Sequence, residues 1–175
     1  MNISDFIALA KSAPTLRFLV IGGYAVAAHG HTRTTFDIDF LVLKEDRRKW
    51  MERLTASGLS TTAETNAFAQ FSQKEGEGLD LMFVNAETFE LMWNASEERQ
   101  FGAMAGRVPG LDHLIALKLH ALKQKVAHRT SKDAEDVEIL VRRNGLDITR
   151  EHYKELFQKY GTLEIYETFL RILRH

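Results

Sequence analysis

The sequence predicts an α/β fold: a mixed β-sheet core flanked by helices, followed by a C-terminal helical bundle. Three observations support this prediction. Apolar runs of strand length alternate with amphipathic segments up to residue 108, Pro109 and Gly110 then interrupt the pattern, and every later segment shows helical spacing. We therefore expect an α/β core over residues 1–110 and a helical region packed on it over residues 111–175.

Periodicity and turn residues predict each element in order. Ser4 is the expected N-cap of the first helix. The core is predicted to contain a helix over 3–12, a strand over 16–21, a helix over 24–29, a strand over 33–43, a helix over 45–55, strands over 67–72 and 79–84, a helix over 87–93 and a weaker strand over 101–108. Four helices should follow, over 111–127, 131–144, 149–160 and 163–173.

Composition excludes several classes of function. The 175 residues include 23 basic and 24 acidic side chains, so a surface that binds nucleic acid throughout by counterion release is not expected, although a local basic patch stays open. The absence of cysteine excludes disulfides, thiolate nucleophiles and cysteine zinc sites. No apolar run reaches the about 18 residues that span a bilayer, and the start lacks an export pattern. We expect a soluble, cytoplasmic protein without a membrane partner.

The strand predicted over 33–43 has one polar side. Arg33, Thr35, Asp37 and Asp39 alternate with apolar residues, so they share one face of the strand. An ordinary half-exposed strand would also show this pattern. However, apolar residues continue the polar face, and neighbouring carboxylates on a partly covered strand repel each other unless a positive charge lies between them. A divalent cation, Mg²⁺ or Mn²⁺, satisfies that need with carboxylate, water and phosphate oxygens.

A glycine pair ends the strand before it. Gly22 and Gly23 lie between an apolar strand and a predicted helix, a junction whose backbone N–H groups can bind phosphate. Most glycine pairs mark tight turns, and neither G-x-x-x-x-G-K-[ST] nor G-x-G-x-x-G occurs in the chain. The combination is more specific than either part: the pair, thirteen intervening residues, and then Asp37 and Asp39 on the next strand.

Two stretches resemble the signature of the polymerase-beta-type nucleotidyltransferase superfamily, namely Ile21-Gly22-Gly23 and Arg33-Thr34-Thr35-Phe36-Asp37-Ile38-Asp39-Phe40. The resemblance is closest to the small bacterial branch that contains AbiEii-type abortive-infection toxins and lincosamide or aminoglycoside nucleotidyltransferases. It is specific over residues 16–43 and diffuse elsewhere. Many members have Gly-Ser at the glycine pair, so the serine hydroxyl that they offer to phosphate is missing here.

This resemblance implies a third carboxylate on a later strand. Asp80 fits, because it lies between Leu79 and Leu81 in an apolar run, although it could also cap the preceding turn. Glu75 and Glu77 are weaker candidates, since they lie in the predicted turn, where a fixed geometry is harder to hold.

Lys118 lies in the middle of the apolar stripe of its predicted helix. Such a lysine either extends its ammonium group to water or meets an anion. The resemblance implies contact with the triphosphate, because family members have a lysine on the first helix after the sheet that reaches it; Lys125 is the fallback on the same stripe.

The segment from Lys132 to Asp136 resembles a Lys-Asp-x-x-Asp element of AbiEii-type proteins. Asp133 also completes a capping box with the hydroxyl residue Thr130. The roles of Lys132, Asp133 and Asp136 therefore stay open between helix capping and function.

Together these features predict a Mg²⁺-dependent nucleotidyltransferase that moves a nucleoside monophosphate from an NTP to an acceptor hydroxyl. Asp37, Asp39 and Asp80 are the expected catalytic and metal ligands, and Gly22, Gly23, Arg33, Thr35 and Lys118 the expected nucleotide contacts. The acceptor could be RNA, a protein or a small molecule, in a toxin-antitoxin or phage-defence system. The alternatives are a catalytically silent antitoxin-like module that acts through a protein partner, and a plain interaction domain.

Overall fold

A computed structural model describes residues 1–30, 35, 37–73, 77–124 and 130–173. The chain has the predicted mixed α/β fold and divides into two compact units. The first comprises residues 1–28 and 33–110, and the second residues 29–32 and 111–175. Arg33, Glu75 and Lys125, which the sequence analysis considered, lie outside the described residues.

The first unit contains both sheets. Its elements are α1 (Ile3–Lys11), β1 (Phe18–Ile21), α2 (Gly22–Ala28), β2 (Asp37–Leu43), a 3₁₀ turn (Lys44–Asp46), α3 (Arg47–Ala56), β3 (Ser60–Glu64), β4 (Phe68–Ser72), β5 (Gly78–Val84), α4 (Ala86–Asn94), β6 (Glu97–Phe101) and β7 (Met104–Val108). The second unit contains α5 (Leu111–Lys123), α6 (Thr130–Arg143), α7 (Glu151–Tyr160) and α8 (Leu163–Leu173).

The main sheet has five strands in the order β1-β2-β5-β4-β3. Strands β2 and β5 are parallel, whereas the other neighbours are antiparallel. This order brings β2 and β5 together at the centre, although four elements separate them along the chain. Strands β6 and β7 form a separate hairpin.

One face of the main sheet forms the hydrophobic core. Ile38 and Phe40 of β2 are fully buried on this face, as are Leu79 and Leu81 of β5. From β1, Phe18 stacks on Phe40 with ring centroids 4.6 Å apart. Trp50 of α3 meets Phe18 edge-on at 6.2 Å, so α3 covers the core face. Because side chains alternate along a strand, the residues between these apolar positions lie on the opposite face.

The first helix begins differently from the prediction. Its N-cap is Asn2, whose side chain accepts a hydrogen bond from the backbone N–H of Asp5 at 3.1 Å. The Asp5 carboxylate in turn accepts from the backbone N–H of Asn2 at 2.8 Å, which completes a capping box. Ser4 as the N-cap is therefore wrong, since its hydroxyl lies inside the first turn and donates to the carbonyl of Phe101.

Two strand predictions also need correction. Strand β3 was not predicted, because Ser60–Glu64 is polar and largely exposed, as is usual for an edge strand. The weaker strand predicted over 101–108 is confirmed only as β7, which begins at Met104, and its partner β6 was not predicted. The two strands form a hairpin that turns at Gly102 with a positive φ of 61°. The sequence of β6 is mostly charged and lacks the alternation of apolar residues that predicts a strand, so its pairing with β7 was not predicted.

The second unit packs around aromatic side chains. The ring of Phe157 on α7 contacts the rings of Tyr166 and Phe169 on α8, with centroids 5.8 and 5.5 Å away. The Tyr166 hydroxyl donates to the carbonyl of Ile148 at 3.2 Å, which satisfies the polar end of a buried ring. Among the described helices, none is long and apolar enough to cross a membrane.

Candidate active site

The site is built on one row of paired residues that crosses the main sheet. Ile21 at the end of β1 pairs with Asp39 of β2, Asp39 pairs with Asp80 of β5, and Asp80 pairs with Gln70 of β4. Paired residues lie on the same face, with neighbouring strands about 5 Å apart. Asp39 and Asp80 are therefore side by side, on the face opposite the hydrophobic core.

Gly22 meets this row at the end of β1. Its φ is +63°, in the left-handed region that side chains other than hydrogen disfavour. A Cβ atom there would lie 1.9 Å from Oδ2 of Asp39 and 2.7 Å from its carboxyl carbon. The Asp39 carboxylate thus lies directly against the glycine backbone. Gly23 follows as a buried residue of α2.

Asp37 and Thr35 lie at the start of β2. Asp37 pairs with Gly78 and shares the face of Asp39, two residues away, where its side chain is exposed. The Thr35 hydroxyl donates to the carbonyl of Asp37 at 3.2 Å. Thr35 therefore contacts the backbone of the strand that carries both aspartates.

Asp80 is oriented by a neutral donor. Nε2 of Gln70 donates to Oδ2 of Asp80 at 2.9 Å. Asp80 is the third residue of β5 and lies within the paired part of the strand, as a carboxylate with a fixed position requires. Gln70 was not predicted as a site residue. Its contact with Asp80 depends on the pairing of β4 with β5, which no local sequence pattern indicates.

The donor set can hold a divalent cation in part. Across the described ranges, no three His, Cys, Asp or Glu side chains are grouped closely enough to form a metal site by themselves. Mg²⁺, however, is commonly bound by one or two carboxylates and completes its shell with water and substrate phosphates. Asp39 and Asp80 supply such hard oxygen ligands side by side, so the residues fit Mg²⁺ or Mn²⁺ bound together with a nucleotide.

Glu77 is occupied by a different contact. Its Oε1 accepts a hydrogen bond from the hydroxyl of Tyr24 at 3.0 Å, which links α2 to the start of β5. Burial of the ring, followed by the hydrogen bond and the charge of Glu77, raises the pKa of Tyr24 to about 12. Tyr24 follows Gly22 and Gly23 in α2, so this contact supports the start of that helix.

In the helical unit, Lys118 meets two carboxylates. Its Nζ lies 2.8 Å from Oδ1 of Asp133 and 2.7 Å from Oδ2 of Asp136. The three side chains are only 11%, 9% and 1% exposed, respectively. The inward-facing lysine therefore meets anions and is largely withdrawn from water, and the Lys-Asp-x-x-Asp element supplies these anions. Helical spacing places Asp133 and Asp136 on one side of α6.

Comparison with known proteins identifies the fold. No protein-family model and no curated protein matches the sequence. Among solved structures, the antibiotic-resistance factor ANT(2'')-Ia is 17% identical with a TM-score of 0.67, over 97% of this chain and 94% of that one. The lincosamide antibiotic adenylyltransferase LnuA, solved with lincomycin, is 14% identical with a TM-score of 0.57, over 78% and 92%.

The Megavirus polyadenylate synthase also matches, with 12% identity and a TM-score of 0.52 over 81% of this chain and 31% of that one. The chain has a nucleotidyltransferase fold. At these identities the likeness establishes the fold alone. Which reaction the chain performs must be argued from its own residues.

Proposed function

We propose that the protein is a nucleotidyltransferase that moves a nucleoside monophosphate from an NTP to an acceptor hydroxyl. The observation that carries the proposal is the contact of Asp39 with Gly22, beside Asp80 on the neighbouring strand. It brings the glycine residues at the start of α2, where no side chain blocks phosphate oxygens, beside two carboxylates suited to a divalent cation. The shared fold with LnuA, an adenylyltransferase, supports this assignment.

In this proposal the carboxylates bind the cation and the glycines bind the phosphates. Asp37, Asp39 and Asp80 hold Mg²⁺ or Mn²⁺, and the backbone of Gly22 and Gly23 binds phosphate oxygens. The cation, when bound, supplies charge that offsets the negative charge of the phosphates and of the departing pyrophosphate. Asp39 is kept in place by the glycine backbone against which it lies.

Asp80 serves the acceptor. Its carboxylate accepts the proton of the acceptor hydroxyl as the acceptor oxygen bonds to the α-phosphorus, while the bond from that phosphorus to the β-phosphate bridging oxygen breaks and pyrophosphate leaves. Gln70 holds the carboxylate of Asp80 through its amide, which keeps one oxygen in a fixed direction.

Arg33, Thr35 and Lys118 complete the proposed nucleotide contacts. Lys118 has a structural role in the described contacts, since it joins α5 to α6 through two carboxylates. Its proposed contact with the triphosphate is separable from that role: loss of the charge should weaken ATP binding more than AMP binding. An unchanged ratio of ATP to AMP affinity in Lys118→Met would remove Lys118 from the nucleotide site.

The decisive experiment measures Mg²⁺-dependent NTP binding by calorimetry. We expect Asp39→Asn and Asp37→Asn to abolish the Mg²⁺-dependent part of binding. The melting temperature of each variant should stay the same or rise, because each change removes repulsion between carboxylates. Glu45→Gln is the matched control, since Glu45 is an exposed acid in the 3₁₀ turn after β2. Wild-type affinity for Mg·ATP in both aspartate variants would reject the assignment.

None of the solved neighbours named above is an abortive-infection toxin, so the AbiEii-like branch, the toxin-antitoxin setting and a protein partner stay predictions. They are tested by incubating the protein with radiolabelled NTPs and separate RNA, protein and small-molecule fractions of a cell extract. A silent antitoxin-like module would label none of the three.

A further inference from the structure

Two large apolar side chains are exposed next to the carboxylates. Phe68 of β4 and Met82 of β5 are each 39% exposed and are paired across the two strands. Phe68 is two residues from Gln70, and Met82 is two residues from Asp80, so all four side chains lie on one face. An isolated exposed apolar residue is ordinary, but a paired phenyl ring and thioether beside a proposed catalytic carboxylate form a surface that a ligand can use.

The position of this pair relative to Gly22 is informative. The site row runs from Gly22 and Asp39 on the β1 side to Asp80 and Gln70 on the β4 side. If the nucleotide phosphates bind at the glycine end, the acceptor approaches from the other end. Phe68 and Met82 lie at that end, about 7 Å along the strands from the Asp80 row.

The charge of the same strands discriminates between acceptors. Strands β3, β4 and β5 contain no lysine and no arginine, and the charged residue of β5 is Asp80. RNA is held mainly by basic side chains on its phosphates, which these strands lack. A phenyl ring and a methionine thioether instead bind aromatic or aliphatic groups.

We propose that Phe68 and Met82 bind the apolar part of a small, uncharged or cationic acceptor, and that this contact directs the acceptor hydroxyl to Asp80. The inference rests on the proposed nucleotidyl transfer for the acceptor's role, whereas binding to the apolar pair is a property of the face itself. It selects the small molecule among the three acceptor classes that the sequence left open.

The test uses the Met82 methyl group as a reporter. Protein labelled with ¹³C at its methionine methyl groups is titrated with 2-amino-1-phenylethanol and followed by NMR. This compound carries a hydroxyl, an amine and a phenyl ring. The Met82 signal is identified as the one that is missing from the spectrum of Met82→Leu. We expect this signal to shift with 2-amino-1-phenylethanol and to stay unchanged with sorbitol or a single-stranded RNA oligonucleotide. Phe68→Ala should weaken the binding by about 2- to 10-fold, the range for one aromatic contact. Leu91→Ala, at an exposed apolar residue of α4, should leave it unchanged.

Three results would overturn the inference. The Met82 signal could shift with RNA and not with the phenyl compound, it could respond to neither, or it could change on dilution of the protein alone, which would show that a second copy covers the pair.

Calorimetry with Mg·ATP is run on the same samples. If ATP does not bind while the phenyl compound shifts Met82, the proposed transferase function fails and the ligand-binding face stands; the reverse result rejects the face and keeps the transferase.

Discussion

Replacing Gly22 by alanine tests the geometry of the site most directly. The new methyl group would lie 1.9 Å from Oδ2 of Asp39 and 3.0 Å from its Cβ, distances at which one of the two residues has to move. The backbone φ of +63° adds strain, because L-residues disfavour the left-handed region by about 1–2 kcal/mol. Two separate effects are therefore expected, one on stability and one on the position of the carboxylate.

Gly145→Ala separates these effects. Gly145 has a φ of +60°, almost the same as Gly22, but a Cβ atom there would meet nothing within 4 Å. Both variants should lose about 1–2 kcal/mol of unfolding free energy from the backbone strain alone. Only Gly22→Ala should displace Asp39, and a misplacement on the scale of 1 Å at a catalytic group can lower turnover by about 10²-fold.

The assay combines urea unfolding with calorimetry of Mg·ATP binding and a turnover measurement on the wild type and both variants. A double-variant cycle isolates the clash: in an Asp39→Gly background, Gly22→Ala should cost only the strain energy seen for Gly145→Ala. If Gly22→Ala alone costs no more than Gly145→Ala and keeps wild-type Mg·ATP binding and turnover, the close approach of Gly22 to Asp39 is not a feature of the working site.

Further predictions concern the contacts around the site. Lys118→Met should lower the unfolding free energy by about 3–5 kcal/mol, because it leaves two buried carboxylates without their shared cation. Lys123→Met, at the exposed end of the same helix, is the control and should change the unfolding free energy little. Equal stabilities of the two variants would contradict a buried ion cluster. Asp80→Asn should keep much of the NTP affinity but lose turnover by about 10²-fold or more, and unimpaired turnover would show that Asp80 is not the base. The raised pKa of Tyr24 stabilises the fold below its unfolded value of 10.0, and this stability is lost as the pH rises towards about 12. Burial also raises the pKa of Tyr153, so the titration is read as a difference between wild type and Tyr24→Phe. Tyrosinate absorbance of the wild type should show a late-titrating group that Tyr24→Phe removes; an unchanged titration curve would place the hydroxyl in water.

Local sequence signals predicted the parts of the site that depend on one strand. The alternation of β2 placed Asp37 and Asp39 on one face, and the structure has them there. The pairing of Asp39 with Asp80 could not be predicted, because it depends on the sheet order, in which β5 lies beside β2. The contact of Gln70 with Asp80 could not be predicted for the same reason. The approach of Gly22 to Asp39 also depends on how β1 and β2 pair, so the sequence alone does not predict it.

The lysine cluster shows how two separate sequence signals can describe one feature. The apolar stripe predicted an inward-facing Lys118, and the Lys-Asp-x-x-Asp element was ascribed to capping or to function. In the structure the two aspartates of that element hold the lysine. Spacing along α6 predicts that Asp133 and Asp136 share a side, but only the packing of α5 against α6 shows which cation they meet.

The sequence resemblance and the proposed acceptor face lie in different parts of the first unit. The resemblance is specific over residues 16–43, which include β1, the glycine pair and β2, the part that the proposal assigns to the nucleotide. Phe68 and Met82 lie on β4 and β5, outside that stretch. The solved neighbours are described with lincomycin, with adenylyl-2''-tobramycin and as a polyadenylate synthase, so the common fold is compatible with very different acceptors. Under the proposed function, the acceptor is therefore inferred from the side chains of β4 and β5, where an apolar pair and a single carboxylate favour a small molecule over a polyanion.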